Sequence, residues 1–172
     1  MRTGAQYQER LRDGRMIYLN GQRITNAVDH PAFCHAIQTV AGLYDFQGAP
    51  ENRAWMTFDS PTSGARVSRF WQLPRTYDEL VQRRESIAAW AELTYGFMGR
   101  TPDHVGSCLC GMMMGLDIFE RHGRARASAL SEYFTYVRDH DLFVTYVIAN
   151  PRADHAQAGV RTHLLKSHLI GV

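Results

Sequence analysis

The 172-residue sequence has no long apolar run, little net charge and few cysteines. A membrane-spanning helix needs about 20 apolar residues in a row, and no stretch approaches that length, so we expect no membrane contact. A net charge of +2 is too small to indicate a nucleic-acid partner. Residues 1–15 carry no apolar segment after their first charge, and we expect no secretory signal there. These absences favour a globular protein of the cytoplasm.

The three cysteines, Cys34, Cys108 and Cys110, indicate neither a disulfide framework nor a metal site. Their number is odd, whereas a disulfide framework uses cysteines in pairs. Cys108 and Cys110 lie too close together for a zinc-type pair, and no second pair exists to complete four ligands. We therefore expect no structural metal, and we predict buried, reduced thiols.

Hydrophobic residues make up 45% and charged residues 21% of the chain, which is typical of a globular domain with a core. Helical patterns dominate up to about residue 140, and a β-branched, aromatic run follows. We therefore predict a mainly α protein, with a helical domain over residues 1–140 and the start of a β domain over residues 141–172. Residues 163–172 end on apolar side chains, which is typical of a strand cut off within a domain.

Local patterns predict the first two elements. Thr3 and Gln6 have the spacing of a capping box, which predicts a short helix running to about Arg12. Asn20 followed by Gly21, between two short apolar runs, predicts a two-residue hairpin.

The second helix is expected to be capped by Asp29, with Pro31 in its first turn. Its apolar face is predicted at Phe33, Ile37, Val40, Ala41 and Tyr44. Proline and glycine interrupt residues 47–73, and we expect a loop-rich stretch that is functional or covered by a partner. Within it, residues 69–71 are predicted to form a short strand.

Three more helices are predicted further along the chain. The clearest begins at Thr76, with acidic residues in its first turn, and ends at one of the two glycines in residues 96–99. Asp103 is expected to cap the next helix, which is rich in small residues and methionine and extends over residues 105–120. The last helix is predicted over residues 126–140.

Two polar segments carry the functional interpretation. Residues 99–104 (GRTPDH) follow the clearest helix, and residues 141–151 (DLFVTYVIANP) come about forty residues later. With an ordered series of further matches, these segments resemble the N-terminal domain of the 4-hydroxyphenylacetate 3-hydroxylase family. The series comprises residues 2–4, Tyr7, residues 11–15, residues 28–33, residues 43–45, Arg83, Arg84, Ile87, Trp90, Asn150 and Pro151.

The resemblance implies a chemistry, a fold and an assembly. Members of this family are the large components of two-component phenol monooxygenases and have an acyl-CoA-dehydrogenase-like architecture. A separate flavin reductase supplies reduced FAD, and a phenol is hydroxylated with O₂ at the position ortho to its hydroxyl group. The resemblance also implies a homotetramer, in which flavin lies among the N-terminal, β and C-terminal domains. We expect the 172-residue chain alone to be inactive, because it carries little of that flavin site.

The resemblance assigns three residues to the phenol pocket. Arg100 matches the substrate arginine of the family, and a fixed cation there would favour the phenolate. The structural alternative is an arginine that offsets a helix dipole.

His104 stands where the family has a tyrosine, and Tyr146 stands where the family has the substrate histidine. This exchange keeps the set of hydrogen-bond donors and acceptors. We hypothesise that His104 is the catalytic proton acceptor and Tyr146 its hydrogen-bond partner. The alternative is a changed substrate, with neither residue in an acid–base role.

Thr145, Arg152 and Asp154 lie where members of the family approach the flavin, and the resemblance implies cofactor contacts for them. A surface turn after Pro151 is an equally good explanation of the last two.

Two other functions remain open. Dehydratases of 4-hydroxybutyryl-CoA share the implied fold and use FAD with an iron–sulfur cluster, whose ligation needs several cysteines at set positions. Cys108 and Cys110 have the wrong spacing for such a cluster. A non-catalytic remnant or binding fragment is the other possibility, and the apolar residues after His168 favour it.

Overall fold

The computed structural model describes residues 1–99, 101–147 and 168–170. The helices are α1 (Gly4–Arg10), α2 (Cys34–Gly48), α3 (Arg53–Met56), α4 (Tyr77–Leu93), α5 (Pro102–Met114), α6 (Leu116–Arg121) and α7 (Arg124–Asp139). The strands are β1 (Ile17–Leu19), β2 (Gln22–Ile24), β3 (Thr57–Asp59), β4 (Arg66–Ser68), β5 (Thr145–Val147) and β6 (His168–Ile170). The predicted mainly α fold with a small hairpin is confirmed. Within the described ranges, no helix is long and apolar enough to cross a membrane.

The first two predicted elements are confirmed. The Thr3 hydroxyl accepts a hydrogen bond from the Gln6 backbone, and the Gln6 side chain accepts one from the Thr3 backbone, so the capping box is complete. Asn20 and Gly21 both have positive φ, 52° and 80°, as a hairpin turn that matches the twist of its strands requires. β1 and β2 pair antiparallel around this turn.

The expected cap of the second helix was wrong. α2 begins at Cys34, and its N-cap residue Phe33 makes no side-chain capping bond. The Asp29 carboxylate instead accepts hydrogen bonds from the Arg12 guanidinium and the Asn26 amide. This ion pair attaches the turn before α2 to the end of α1, so the carboxylate is not available as a cap.

The stretch 47–73 is more ordered than predicted. It contains α3, the β3–β4 hairpin and a 3₁₀ turn, Arg69–Trp71, where the sequence indicated a strand. Phe70 and Trp71 are adjacent, and both are buried, with 2% and 0% of their surface exposed. Consecutive residues of a strand point to opposite faces, so a strand could not bury both rings on one side.

α4 begins with the predicted cap at Thr76 but ends at Leu93, earlier than expected. Tyr95 and Gly96 have positive φ, 51° and 70°, and turn the chain away from the helix axis. Phe97 lies beyond this turn and is 92% exposed.

The long methionine-rich helix is in fact two helices. Thr101 is the N-cap of α5, so Asp103 lies in the first turn and is not the cap that we expected. Gly115 separates α5 from α6, and this break divides the predicted helix. α7 agrees with the predicted last helix to within two residues at its start and one at its end.

The main core lies between the 3₁₀ turn and helices α4, α5 and α7. The Phe70 ring centroid is 4.8 Å from that of Trp71 and 5.3 Å from that of Trp90, and Phe134 packs edge-on against Trp71. A smaller cluster beneath α1 contains Tyr7, Val40, Ala41 and Tyr44.

The predicted burial of the cysteines holds for one of the three. Cys110 belongs to the main core, whereas Cys34 is half-buried and Cys108 is exposed on the opposite side of α5. All three are free thiols.

Candidate functional site

The N-terminus of α5 and the strand β5 bring His104 and Tyr146 into contact. The distance from His104 Nε2 to Tyr146 Oη is 3.0 Å, which is a hydrogen bond. The ring centroids lie 5.3 Å apart, and the ring planes are tilted by 31°. Both side chains are half-buried. Two candidate residues separated by 42 positions in the sequence therefore form one pair.

Packing along α5 fixes the position of His104. A Cβ atom on Gly106 would lie 2.6 Å from the ring of Phe70, so glycine is needed for this close approach. The Arg83 guanidinium donates to the Phe70 carbonyl and to the Ser107 hydroxyl, and this joins α4, the 3₁₀ turn and α5. The first turn of α5 therefore has little freedom to move against the core.

A buried carboxylate fixes the chain that leads into β5. Asp141 Oδ1 accepts a hydrogen bond of 2.9 Å from the Ser68 backbone, and Oδ2 accepts one of 3.3 Å from the Gln47 amide. The Tyr44 hydroxyl donates to the Asp141 carbonyl over 3.1 Å. Burial raises the pKa of the Asp141 carboxyl, and the hydrogen bonds from Ser68 oppose this effect.

Burial at every second residue of the chain that enters β5 then directs Tyr146 to the site. Leu142 and Val144 are buried in the main core, with 5% and 1% of their surface exposed. Tyr146 lies two residues further on, and its ring packs partly against the same core. Successive side chains of a strand alternate in direction, so Thr145 points away from Tyr146.

The pair can hold and transfer a proton. A neutral imidazole has one N–H donor and one bare nitrogen, and a phenol hydroxyl can both donate and accept. Either Tyr146 donates to a bare Nε2 of His104, or His104 donates through Nε2–H to the Tyr146 oxygen. Both arrangements leave the second ring nitrogen of His104 outside this hydrogen bond.

Of the other four predicted site residues, the structure describes only Thr145. Thr145 is half-buried on β5, next to Tyr146. Arg100, Arg152 and Asp154 lie outside the described residues. Among the described residues, no group of three His, Cys, Asp or Glu side chains could hold a metal ion.

Sequence patterns did not predict the burial of Asp103 and Asp141. Asp141 receives its side-chain hydrogen bonds from residues 73 and 94 positions away, and no local pattern predicts such distant partners. Asp103, next to His104, is 8% exposed, and its Oδ1 atom has no hydrogen-bond partner among the described residues. Asp103 lies in the first turn of α5, where the helix carries a partial positive charge.

Comparison with known proteins identifies the family of the chain. The family profile described as "4-hydroxyphenylacetate 3-hydroxylase N terminal" matches residues 3–164. The oxygenase component of 4-hydroxyphenylacetate 3-monooxygenase from Geobacillus sp. (strain PA-9) is 33% identical over 158 residues, which are 91% of this chain and 32% of that protein. The chain therefore spans about a third of the length of this curated relative.

Solved structures show the same fold. The oxygenase component HpaB of 4-hydroxyphenylacetate 3-monooxygenase, complexed with FAD and 4-hydroxyphenylacetate, is similar with a TM-score of 0.80 and 30% identity, over 91% of this chain and 32% of that chain. A 4-hydroxybutyryl-CoA dehydratase from N. maritimus has a TM-score of 0.71 at 24% identity, over 91% of this chain and 31% of that chain. At that identity the likeness shows the fold alone.

The chain belongs to the 4-hydroxyphenylacetate 3-hydroxylase family and matches its N-terminal region. The relatives in this family are oxygenase components of aromatic monooxygenases, and the dehydratase alternative is not favoured.

Proposed function

We propose that the chain is the N-terminal part of the oxygenase component of a two-component phenol ortho-hydroxylase, which uses reduced FAD and O₂. The observation that carries the proposal is the hydrogen bond between His104 and Tyr146, formed across the junction of α5 and β5. Family membership supplies the reaction class. A phenolic substrate, a separate flavin reductase and a homotetrameric assembly belong to the same proposal.

In the proposed site, His104 takes the proton of the phenol hydroxyl and Tyr146 orients its ring. The phenolate is more electron-rich than the phenol at its ortho carbon, so removal of this proton assists attack on an electrophilic oxygen atom. Arg100 would stabilise the phenolate charge. Half-burial of the pair limits access of water, which strengthens these charge interactions.

The proposed flavin contacts are Thr145, Arg152 and Asp154. The Thr145 hydroxyl is half-exposed on β5 and lies one residue from Tyr146, so its chemistry and position suit a hydrogen bond to a flavin ring atom. When bound in its reduced form, FAD would activate O₂ and supply the oxygen atom. Residues 141–172 are proposed to begin the β domain that would complete this site.

His104→Ala in the oxygenase, assayed with a flavin reductase, NADH and 4-hydroxyphenylacetate, tests the proposal. We expect kcat/KM to fall by about 100-fold or more, because positioned acid–base groups contribute at least that much. An unchanged rate and pH profile would remove His104 from proton transfer, and absence of hydroxylation with every phenol tried would refute the reaction class.

A further inference from the structure

A groove of about 340 Å³ lies between the first half of α4 and the second half of α5, away from the His104–Tyr146 pair. Three large apolar side chains border it: Tyr77 is 78% exposed, Leu80 is 50% exposed and Met114 is 62% exposed. Single exposed apolar side chains are common on protein surfaces, whereas several around one groove mark a binding surface.

A fixed arginine lies in the wall of this groove. Arg83 Nε and Nη2 donate to the Phe70 carbonyl over 3.1 and 2.9 Å, and Nη2 also donates to the Ser107 hydroxyl over 2.8 Å. Within the described part of the chain, Nη1 makes no hydrogen bond to an oxygen or nitrogen atom, although the Cys110 thiol lies beside the guanidinium. The guanidinium is therefore held in place with one nitrogen available for an acceptor.

Arg75 and Arg83 give the groove two positive charges. Neither Arg83 nor Arg75 forms an ion pair with any described residue. The nearby Glu79 carboxylate is already the acceptor for the backbone N–H groups of Arg75 and Thr76. A ligand for this groove should therefore present a carboxylate beside apolar side chains.

The floor of the groove suits a helix. Ser107 and Gly111 are one turn apart on α5 and both line the groove. A Cβ atom on Gly111 would meet nothing within 4 Å, so the surface is open at this point. Small side chains at a spacing of four residues allow the ridge of a second helix to approach closely.

A second copy of the same surface is a poor occupant. In a two-fold symmetric contact each groove would face its own copy, and the Arg75 and Arg83 side chains of both chains would be brought together. Like charges at short distance repel, most strongly where water is excluded.

We propose that this groove binds an amphipathic helix that carries an Asp or Glu within its apolar face, with the carboxylate on Arg83. The helix would come from the part of the oxygenase that corresponds to the other two-thirds of the relatives. The inference rests on the proposed function in this respect, since it assumes that such a part exists.

Photo-crosslinking tests the proposal on the complete oxygenase, in the cells that produce it. Tyr77 is replaced by p-benzoylphenylalanine, and Tyr136, exposed on α7, is replaced in the same way as the control. We expect position 77 to crosslink to a helical peptide of the oxygenase that contains Asp or Glu, and position 136 not to do so. A crosslink to a second copy of the groove, a crosslink to an unrelated protein, or no crosslink at all would overturn the proposal.

The crosslinked segment, made as a synthetic peptide, then permits a matched comparison of affinity. Leu80→Gln in the groove should weaken peptide binding by about tenfold or more, since it removes a buried apolar contact. Leu93→Gln lies at the end of the same helix, with a similar exposure of 46%, and should leave the affinity unchanged. Equal effects of the two substitutions would contradict docking in the groove.

The same preparation, assayed for phenol hydroxylation, separates the two proposals. A crosslink without hydroxylation would support the docking surface and refute the proposed function. Hydroxylation without the crosslink would support the proposed function and refute the docking surface.

Discussion

At the scale of single residues, the central feature is the coupling of His104 to Tyr146. A hydrogen bond of 3.0 Å and a tilted ring contact join side chains from a helix and a strand. If His104 acts on the phenol while Tyr146 orients it, the two residues act as one unit. Their effects on activity should then not be additive.

Tyr146→Phe keeps the ring and removes the hydroxyl that is hydrogen-bonded to His104. We expect kcat/KM for phenol hydroxylation to fall by about tenfold, the value of one hydrogen bond of ordinary strength. The double variant with His104→Ala should be little worse than His104→Ala alone. Steady-state kinetics of the four proteins measure this coupling, with Tyr18→Phe on exposed β1 as the control. Additive losses would show that the two side chains act independently.

At the scale of secondary-structure elements, α5 depends on a close contact with the 3₁₀ turn. Gly106 and Gly111 lie on this same helix, but their surroundings differ. A Cβ atom at 106 would lie 2.6 Å from two atoms of the Phe70 ring, whereas one at 111 would meet nothing within 4 Å. Identical substitutions at the two positions therefore isolate the effect of packing.

Gly106→Ala should lower the free energy of unfolding by about 1–3 kcal/mol, because overpacking forces the Phe70 ring or the helix to move. Gly111→Ala should raise it by about 0.5–1 kcal/mol, because alanine is the better helix former and no clash opposes it. Urea unfolding of the three proteins at one pH measures both values. A loss of stability at 111 equal to that at 106 would mean that helix packing is not the cause.

How far the sequence predicts an element depends on where its determinants lie. The α1 cap and the β1–β2 turn were predicted because their determinants, such as Asn20 and Gly21, are local. The 3₁₀ turn was missed because its conformation follows from burial of adjacent aromatic rings against distant helices.

Much the same holds for the candidate site. His104 and Tyr146 were identified through family resemblance, and their contact could be expected only as part of that resemblance. The Asp141 network had no local pattern to indicate it, since its side-chain partners, Ser68 and Gln47, are distant in sequence.

At the scale of the whole molecule, two acids near the end of α7 join it to distant parts of the fold. Asp139 accepts hydrogen bonds from Ser60, Thr62 and Arg138, and so attaches the β3–β4 hairpin to α7. Asp141 attaches α2 and the start of the 3₁₀ turn to the chain that enters β5. Folding shifts the pKa values of these two carboxyls in opposite directions, although the residues are only two positions apart in the sequence.

Burial raises the pKa of Asp141. For Asp139, burial also acts to raise the pKa, but hydrogen bonds from Ser60, Thr62 and Arg138 outweigh it, and the pKa is lowered. The stability associated with a raised pKa is present below the unfolded value and is lost as pH rises through the folded value. The stability associated with a lowered pKa is present above the unfolded value and is lost as pH falls through the folded value.

In the parent chain, ionisation of Asp141 lowers the free energy of unfolding as pH rises, and protonation of Asp139 lowers it as pH falls. Asp141→Asn should therefore abolish the first pH dependence, and Asp139→Asn should abolish the second. Relative to the parent chain, the Asp141→Asn variant should be least stable in acid. Its free energy of unfolding should improve relative to the parent as pH rises above the usual pKa range of an aspartate. Asp139→Asn should be most destabilising near neutral pH, where the parent carboxylate is fully charged and accepts all of its hydrogen bonds. Urea unfolding at a series of pH values from acid to neutral measures both curves. If the effect of each substitution on stability were independent of pH, neither carboxyl would change its pKa on folding. Only a pKa difference between the folded and unfolded states makes the effect depend on pH.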